Sequence, residues 1–174
     1  MLGFRFKFFS HGFSYVELMF SVAILALLAA AATPYLEKTI QRKKESELRE
    51  NLRDIRNAID AFKTASDQGR IAKGLNDSGY PKNLDELVTG VPDQTNPEKK
   101  KLRFLRNLPA DPMFPSQTLS NIVANTDDSL SPQSTWGKRS YDSDADDPRE
   151  GADVFDVHSL NDQKGLNGIP YRQW

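Results

Sequence analysis

A chain of 174 residues, 38% hydrophobic and 27% charged, has the size of one small domain and a composition able to bury a modest core. Its formal net charge of -1 excludes a nucleic-acid or membrane-surface protein defined by bulk charge. The absence of cysteine excludes disulfides, iron–sulfur clusters and thiolate zinc sites, and His11 and His158 alone are too few for a histidine-rich metal centre.

Residues 1 to 12 carry Arg5 and Lys7 and read as a leader, too short and too aromatic to fold. Basic residues are retained on the cytoplasmic side, so the rest of the chain is expected to face outward. From Phe13 to Leu36 the only formally charged side chain is Glu17. A run of this kind matches the ~20 residues that cross a bilayer as a helix. A carboxylate inside such a helix costs roughly 2.5 kcal/mol or more unless it is paired. No Lys, Arg or His lies in the span, so the partner of Glu17 is a basic group elsewhere, the headgroup layer, or an α-amino group released by cleavage nearby. A secretory signal peptide is the competing reading, with Arg5 and Lys7 as its basic region and Ala29 to Ala32 as its cleavage site. Against it stand Glu17, an apolar run longer than the ~7 to 15 residues of such signals, and a helical pattern that continues past Ala32.

The stretch Gly12-Phe13-Ser14-Tyr15-Val16-Glu17, preceded by a short basic leader and followed by Pro34 near the end of the span, resembles the prepilin family of type IV pilins and type II secretion pseudopilins. The resemblance implies cleavage after Gly12 by a prepilin peptidase and methylation of Phe13. It implies a single-pass inner-membrane anchor with a cytoplasmic N-terminus and a periplasmic head. The α-ammonium of Phe13 would then meet Glu17 of a neighbouring subunit in a homopolymer with other pilin-like subunits, raised by an inner-membrane assembly platform. Pro34 removes one backbone hydrogen bond and clashes with the preceding turn, which membrane helices tolerate, and the resemblance implies a kink or local melting there on assembly.

Beyond the span, Leu36, Ile40, Leu48, Leu52, Ile55, Ile59 and Phe62 recur at steps of three or four apart from one gap of eight. That spacing predicts an amphipathic continuation of the helix over residues 37 to 68, stopped at Gly69. The gap, Gln41 to Glu47, has no apolar face and reads as a solvated neck whose charges could also meet those of packed neighbours.

Residues 69 to 174 are expected to form a globular head. Gly79-Tyr80-Pro81 breaks the chain, and Asn83 caps a short helix through Leu84, Leu87 and Val88 to Gly90. The segments Tyr80 to Val88 and Leu108-Pro109-Ala110-Asp111-Pro112 resemble the matching regions of G-type major pseudopilins, as does the lack of cysteine. Lys99, Lys100, Lys101, Arg103 and Arg106 form a basic run interleaved with Leu102, Phe104 and Leu105, read as a solvated face rather than a nucleic-acid site. Residues 115 to 135 read as a long polar loop. Strand-like segments at Trp136 to Tyr141 and Val154 to Val157 predict a C-terminal β-hairpin whose apolar face covers Leu52, Ile55, Ile59 and Phe62.

Asp142, Asp144, Asp146, Asp147, Glu150, Asp153, Asp156 and Asp162 crowd one region and repel one another unless a cation or basic group joins them. Ca²⁺ suits such an oxygen-rich set, and Arg149, Lys138 and Arg139 are alternative counter-ions. Asp142 to Asp146 has the spacing of an EF-hand, but Asp147 stands where that loop needs glycine. The segment Asp156 to Asp162 resembles the calcium loop of G-type pseudopilins, which implies Asp156 and Asp162 as ligands, ahead of Asp142, Asp144, Asp146 and Asp153. Catalysis is not expected, since His158 and Ser159 are neighbours on a strand and point to opposite faces.

The expected fold is therefore α+β, a long N-terminal helix packed on a small antiparallel head, and the expected role is a pseudopilus subunit in type II secretion. A type IV pilus subunit and a non-polymerising, calcium-binding head are the alternatives.

Overall fold

The computed structural model describes residues 12, 14–75, 77–98, 100–115 and 131–174, with Ala32 and Pro34 described by their backbone alone. Phe13, the remainder of the expected leader, Lys99 and most of the expected polar loop lie outside the described residues.

Helix α1 runs over Tyr15–Asp67, 53 residues without a glycine. Ser21, Thr33, Thr39 and Thr64 donate their hydroxyls to the carbonyls four residues back, so they do not divert the backbone from the helix. The expected stop is realised within a residue: Gly69 adopts φ 72°, its N–H donates to Ser66 O, and the Arg70 N–H donates to Ala65 O. These are the paired bonds of a Schellman ending, which needs a left-handed residue at that position. The chain divides into two compact units, residues 1–40 and 41–174, with α1 contributing to each.

In the second unit the stripe Leu48, Leu52, Ile55, Ile59 and Phe62 is buried with Leu84, Leu87, Leu108, Trp136, Val154, Val157 and Tyr171 in one cluster. Each fully buried large apolar side chain contributes about 1.5–3 kcal/mol relative to exposure, so this stripe anchors the head. Helix α2 (Asp85–Thr89) starts where Asn83 Oδ1 accepts the Glu86 N–H and Glu86 reaches back to the Lys82 N–H, and it ends at Gly90.

Among the described residues, two small antiparallel sheets join these helices in an α+β architecture. Strands β1 (Val91–Pro92) and β2 (Lys101–Leu102) pair, which takes the middle of the basic run into a sheet. Its apolar members Leu102, Phe104 and Leu105 pack on the core, and both the Phe104 and Leu105 N–H groups donate to Leu87 O. Strands β3 (Trp136–Arg139) and β4 (Asp156–Ser159) form the expected C-terminal pair, with Trp136 opposite Ser159 and Arg139 opposite Asp156. Gly137 lies opposite His158, and a Cβ there would run into the imidazole, so any larger residue makes the ring shift.

The solvated neck expected at Gln41 to Glu47 holds for Arg42, Lys43, Lys44, Ser46 and Glu47, which are exposed, and requires a correction at Glu45. Glu45 is buried, 3% exposed, and its Oε1 accepts the Leu166 N–H at 2.8 Å and the Tyr171 hydroxyl at 2.9 Å. The gap in the apolar stripe is filled by a carboxylate because the backbone and phenol facing it need an acceptor.

Candidate assembly and charge-pairing sites

Tyr15 to Leu36 presents large apolar side chains that are exposed. Tyr15, Phe20, Leu25, Leu27 and Leu28 are each more than 60% exposed. α1 is long and apolar enough to cross a membrane in this part. Glu17 sits in the first turn of α1, exposed, where the free N–H groups of the helix start favour a negative charge. Gly12 precedes the helix and is exposed, with open space where a Cβ would be. Helical backbone continues through Pro34.

Three acids of the cluster, Asp147, Asp156 and Asp162, pair with arginine. Asp156 Oδ1 accepts Arg56 Nε at 2.7 Å, and Asp156 Oδ2 lies 3.4 Å from Arg139. Asp162 meets Arg172 at 3.2 Å on the surface. The two expected calcium ligands thus each face a guanidinium, and no group of three or more metal-ligating side chains stands together among the described residues. Asp153 is taken up by loop closure: Ser78 donates to one carboxylate oxygen, and the Ser140 hydroxyl and Tyr141 N–H donate to the other at 2.9 Å. Asp147 pairs with Arg149, while Lys138 stands 4.0 Å from Glu150. Asp142, Asp144 and Asp146 are left without a basic partner among the described residues.

No protein-family model, curated protein or solved structure matches the chain.

Two further carboxylates carry structural roles that the sequence pattern did not single out. Asp111, within Leu108 to Pro112, is buried and accepts the Ser159 hydroxyl at 2.5 Å and the Met113 N–H at 2.7 Å. Burial raises its pKa, against the lowering effect of those two bonds. Asp93 accepts the Thr95 hydroxyl and Arg70 Nη2, and these donors hold its carboxyl at about 2. His158 is half-buried, and burial together with Arg172 lowers its pKa, which keeps the imidazole neutral near pH 7. Ser159 points the other way, into the core toward Asp111.

A groove of about 540 Å³ lies beside the head part of α1, lined by Arg49, Arg53, Arg56, Asn57 and Trp174. Arg49 stacks 4.3 Å over the Trp174 ring. Arg56 is bound to Asp156 and to the carbonyls of Val157 and Trp174. Arg53 is exposed and has no acidic partner among the described residues. The i, i+4, i+7 spacing of the three arginines, on one helix face, was the signal in the sequence that could have found this groove.

Proposed function

We propose that this chain is a prepilin-type filament subunit, most like a G-type major pseudopilin of type II secretion. The observation that carries the reading is Glu17, one carboxylate in the first turn of a helix whose apolar side chains remain uncovered from Tyr15 to Leu36. Lipid satisfies that apolar surface but not the charge, whereas a second copy supplies both an apolar face and a basic N-terminus. On this reading a peptidase cuts after Gly12 and frees the α-ammonium of Phe13. The span holds the subunit in the inner membrane with its head in the periplasm, and Glu17 pairs with the neighbouring N-terminus as subunits are drawn into the filament. Packing of the apolar faces supplies the cohesion and the ion pair sets register, because burying such a pair costs about what it returns.

Mass analysis of the mature protein tests the first step. The expected N-terminal residue is methylated Phe13, and an N-terminus beyond Ala32 would sink the reading. The second step is tested with Glu17→Leu, which is expected to insert in the membrane normally and to lose assembly; unimpaired polymers would remove the pairing role.

A further inference from the structure

The acidic loop and the arginine groove are complementary in charge, and each is only partly paired among the described residues: Asp142, Asp144 and Asp146 have no basic partner and Arg53 no acidic one, while Arg49 stands 3.9 Å from Glu45 and Arg56 is bound to Asp156. Residues 142 to 150 hold Asp142, Asp144, Asp146, Asp147 and Glu150 against the single base Arg149, all exposed except half-buried Ser143 and Pro148. Arg149 and Lys138 offset Asp147 and Glu150, and the repulsion that remains among Asp142, Asp144 and Asp146 is relieved by solvent, a cation or basic groups from outside the loop. The groove presents Arg49 and Arg53 to solvent and has no acid among its lining residues.

The two patches also stand at different heights on the head. Tyr141, at the root of the acidic loop, stacks on Tyr80 at 5.7 Å, and Tyr80 lies 5.6 Å from Lys63 Nζ. Lys63 follows Arg53 by ten residues along α1, about 15 Å at 1.5 Å per residue. In copies whose helix axes run parallel, as the filament reading has them, a copy offering its loop to the groove of another is displaced along the helix axis and leaves its own groove free. Such a contact does not close on itself, and it repeats into an open polymer.

We propose that the Arg49–Arg53–Arg56 groove docks the Asp142–Glu150 loop of a second copy of this chain. The proposal rests on the filament reading and adds to it a head-to-head contact outside the membrane. Arg49 and Arg53 supply the planar donors that match carboxylates, and Arg56, already fixed by Asp156, frames the floor.

The chain lacks cysteine, so introduced thiols report single contacts. Full-length chains carrying Asn57→Cys and differently tagged chains carrying Asp146→Cys are co-expressed in membranes and treated with a short bismaleimide. Asp54→Cys, exposed on α1 but outside the groove, replaces Asn57→Cys as the control. The expected yield of mixed dimer exceeds the control by about tenfold, falls by a similar factor with Arg53→Glu, and recovers when the partner carries Asp142→Lys/Asp144→Lys, since juxtaposed like charges are strongly disfavoured. Unchanged melting temperatures of the charge variants exclude misfolding as the cause. An amine-reactive cross-linker on the cysteine-free chain reads polymerisation by any route. A ladder there with no Asn57–Asp146 product above control overturns the docking proposal and leaves the filament reading standing. No ladder and no product overturn both. A product indifferent to the charge reversals also overturns the docking proposal.

Discussion

The hydroxyl of Tyr171 donates to Glu45 Oε1 at 2.9 Å, joining residues 126 apart in the chain. Gln41 donates to the same phenol at 2.9 Å, so the phenol is held from two sides. Through this bond the last segment of the chain is tied to the first turns of α1 that belong to the head. Glu45→Ala leaves the buried Tyr171 hydroxyl without an acceptor and is expected to cost about 1–3 kcal/mol. Glu45→Gln keeps an acceptor oxygen and should lose less. Thermal unfolding of the full chain in detergent micelles measures both, and a loss no larger for alanine than for glutamine would show that the acceptor is not what stabilises this end.

The acid limb of stability is expected to depend on Asp93. Its folded carboxyl, held at about 2 by Thr95 and Arg70, stays charged where the unfolded chain takes up a proton. The contribution is whole above pH ~4 and is lost as pH falls toward 2. Asp111 acts in the opposite sense. Burial raises its pKa, so its contribution is whole below the ordinary carboxylate value and declines as pH rises through the raised one. Asp93→Asn should flatten the melting curve against pH between about 4 and 2; an unchanged slope would assign the acid sensitivity to other carboxylates.

Ile55 is wholly buried in the stripe that holds the head, whereas Leu27 is 72% exposed in the apolar segment. Ile55→Ala is expected to lower head stability by about 2–5 kcal/mol through lost contacts and a residual cavity. Leu27→Ala should leave the melting of the head unchanged. Equal effects would mean that the two segments unfold as one cooperative unit.

Gly137 and His158 occupy one cross-strand position. Gly137→Ala forces the imidazole to move and is expected to cost about 1–3 kcal/mol, the usual range for overpacking. His158→Ala in the same chain removes the obstacle, so the double variant should recover most of the loss. If the two losses simply add, the clash with His158 is not the source of the cost.

The long helix, its stop at Gly69, the short α2 and the β3–β4 pair were all legible, because each is written in local spacing: apolar steps of three and four, a breaker after the last, alternating residues near the C-terminus. The carboxylate pairings were not. Arg56 reaches Asp156 across 100 residues, and nothing near either residue in the chain marks the other. Glu45 could have been found, since Gln41, Glu45, Leu48 and Leu52 keep the helical step and only their polarity hides the shared face. Asp111 had no such sign, because the hydroxyl it accepts belongs to a strand folded far from it in sequence.

The sheets of the head are two strands each, of two and four residues, with β1 containing Pro92. So little unpaired backbone gives stray chains almost nothing to zip onto. A fold with so few edges can be crowded at high local density with little tendency toward amyloid-like stacking.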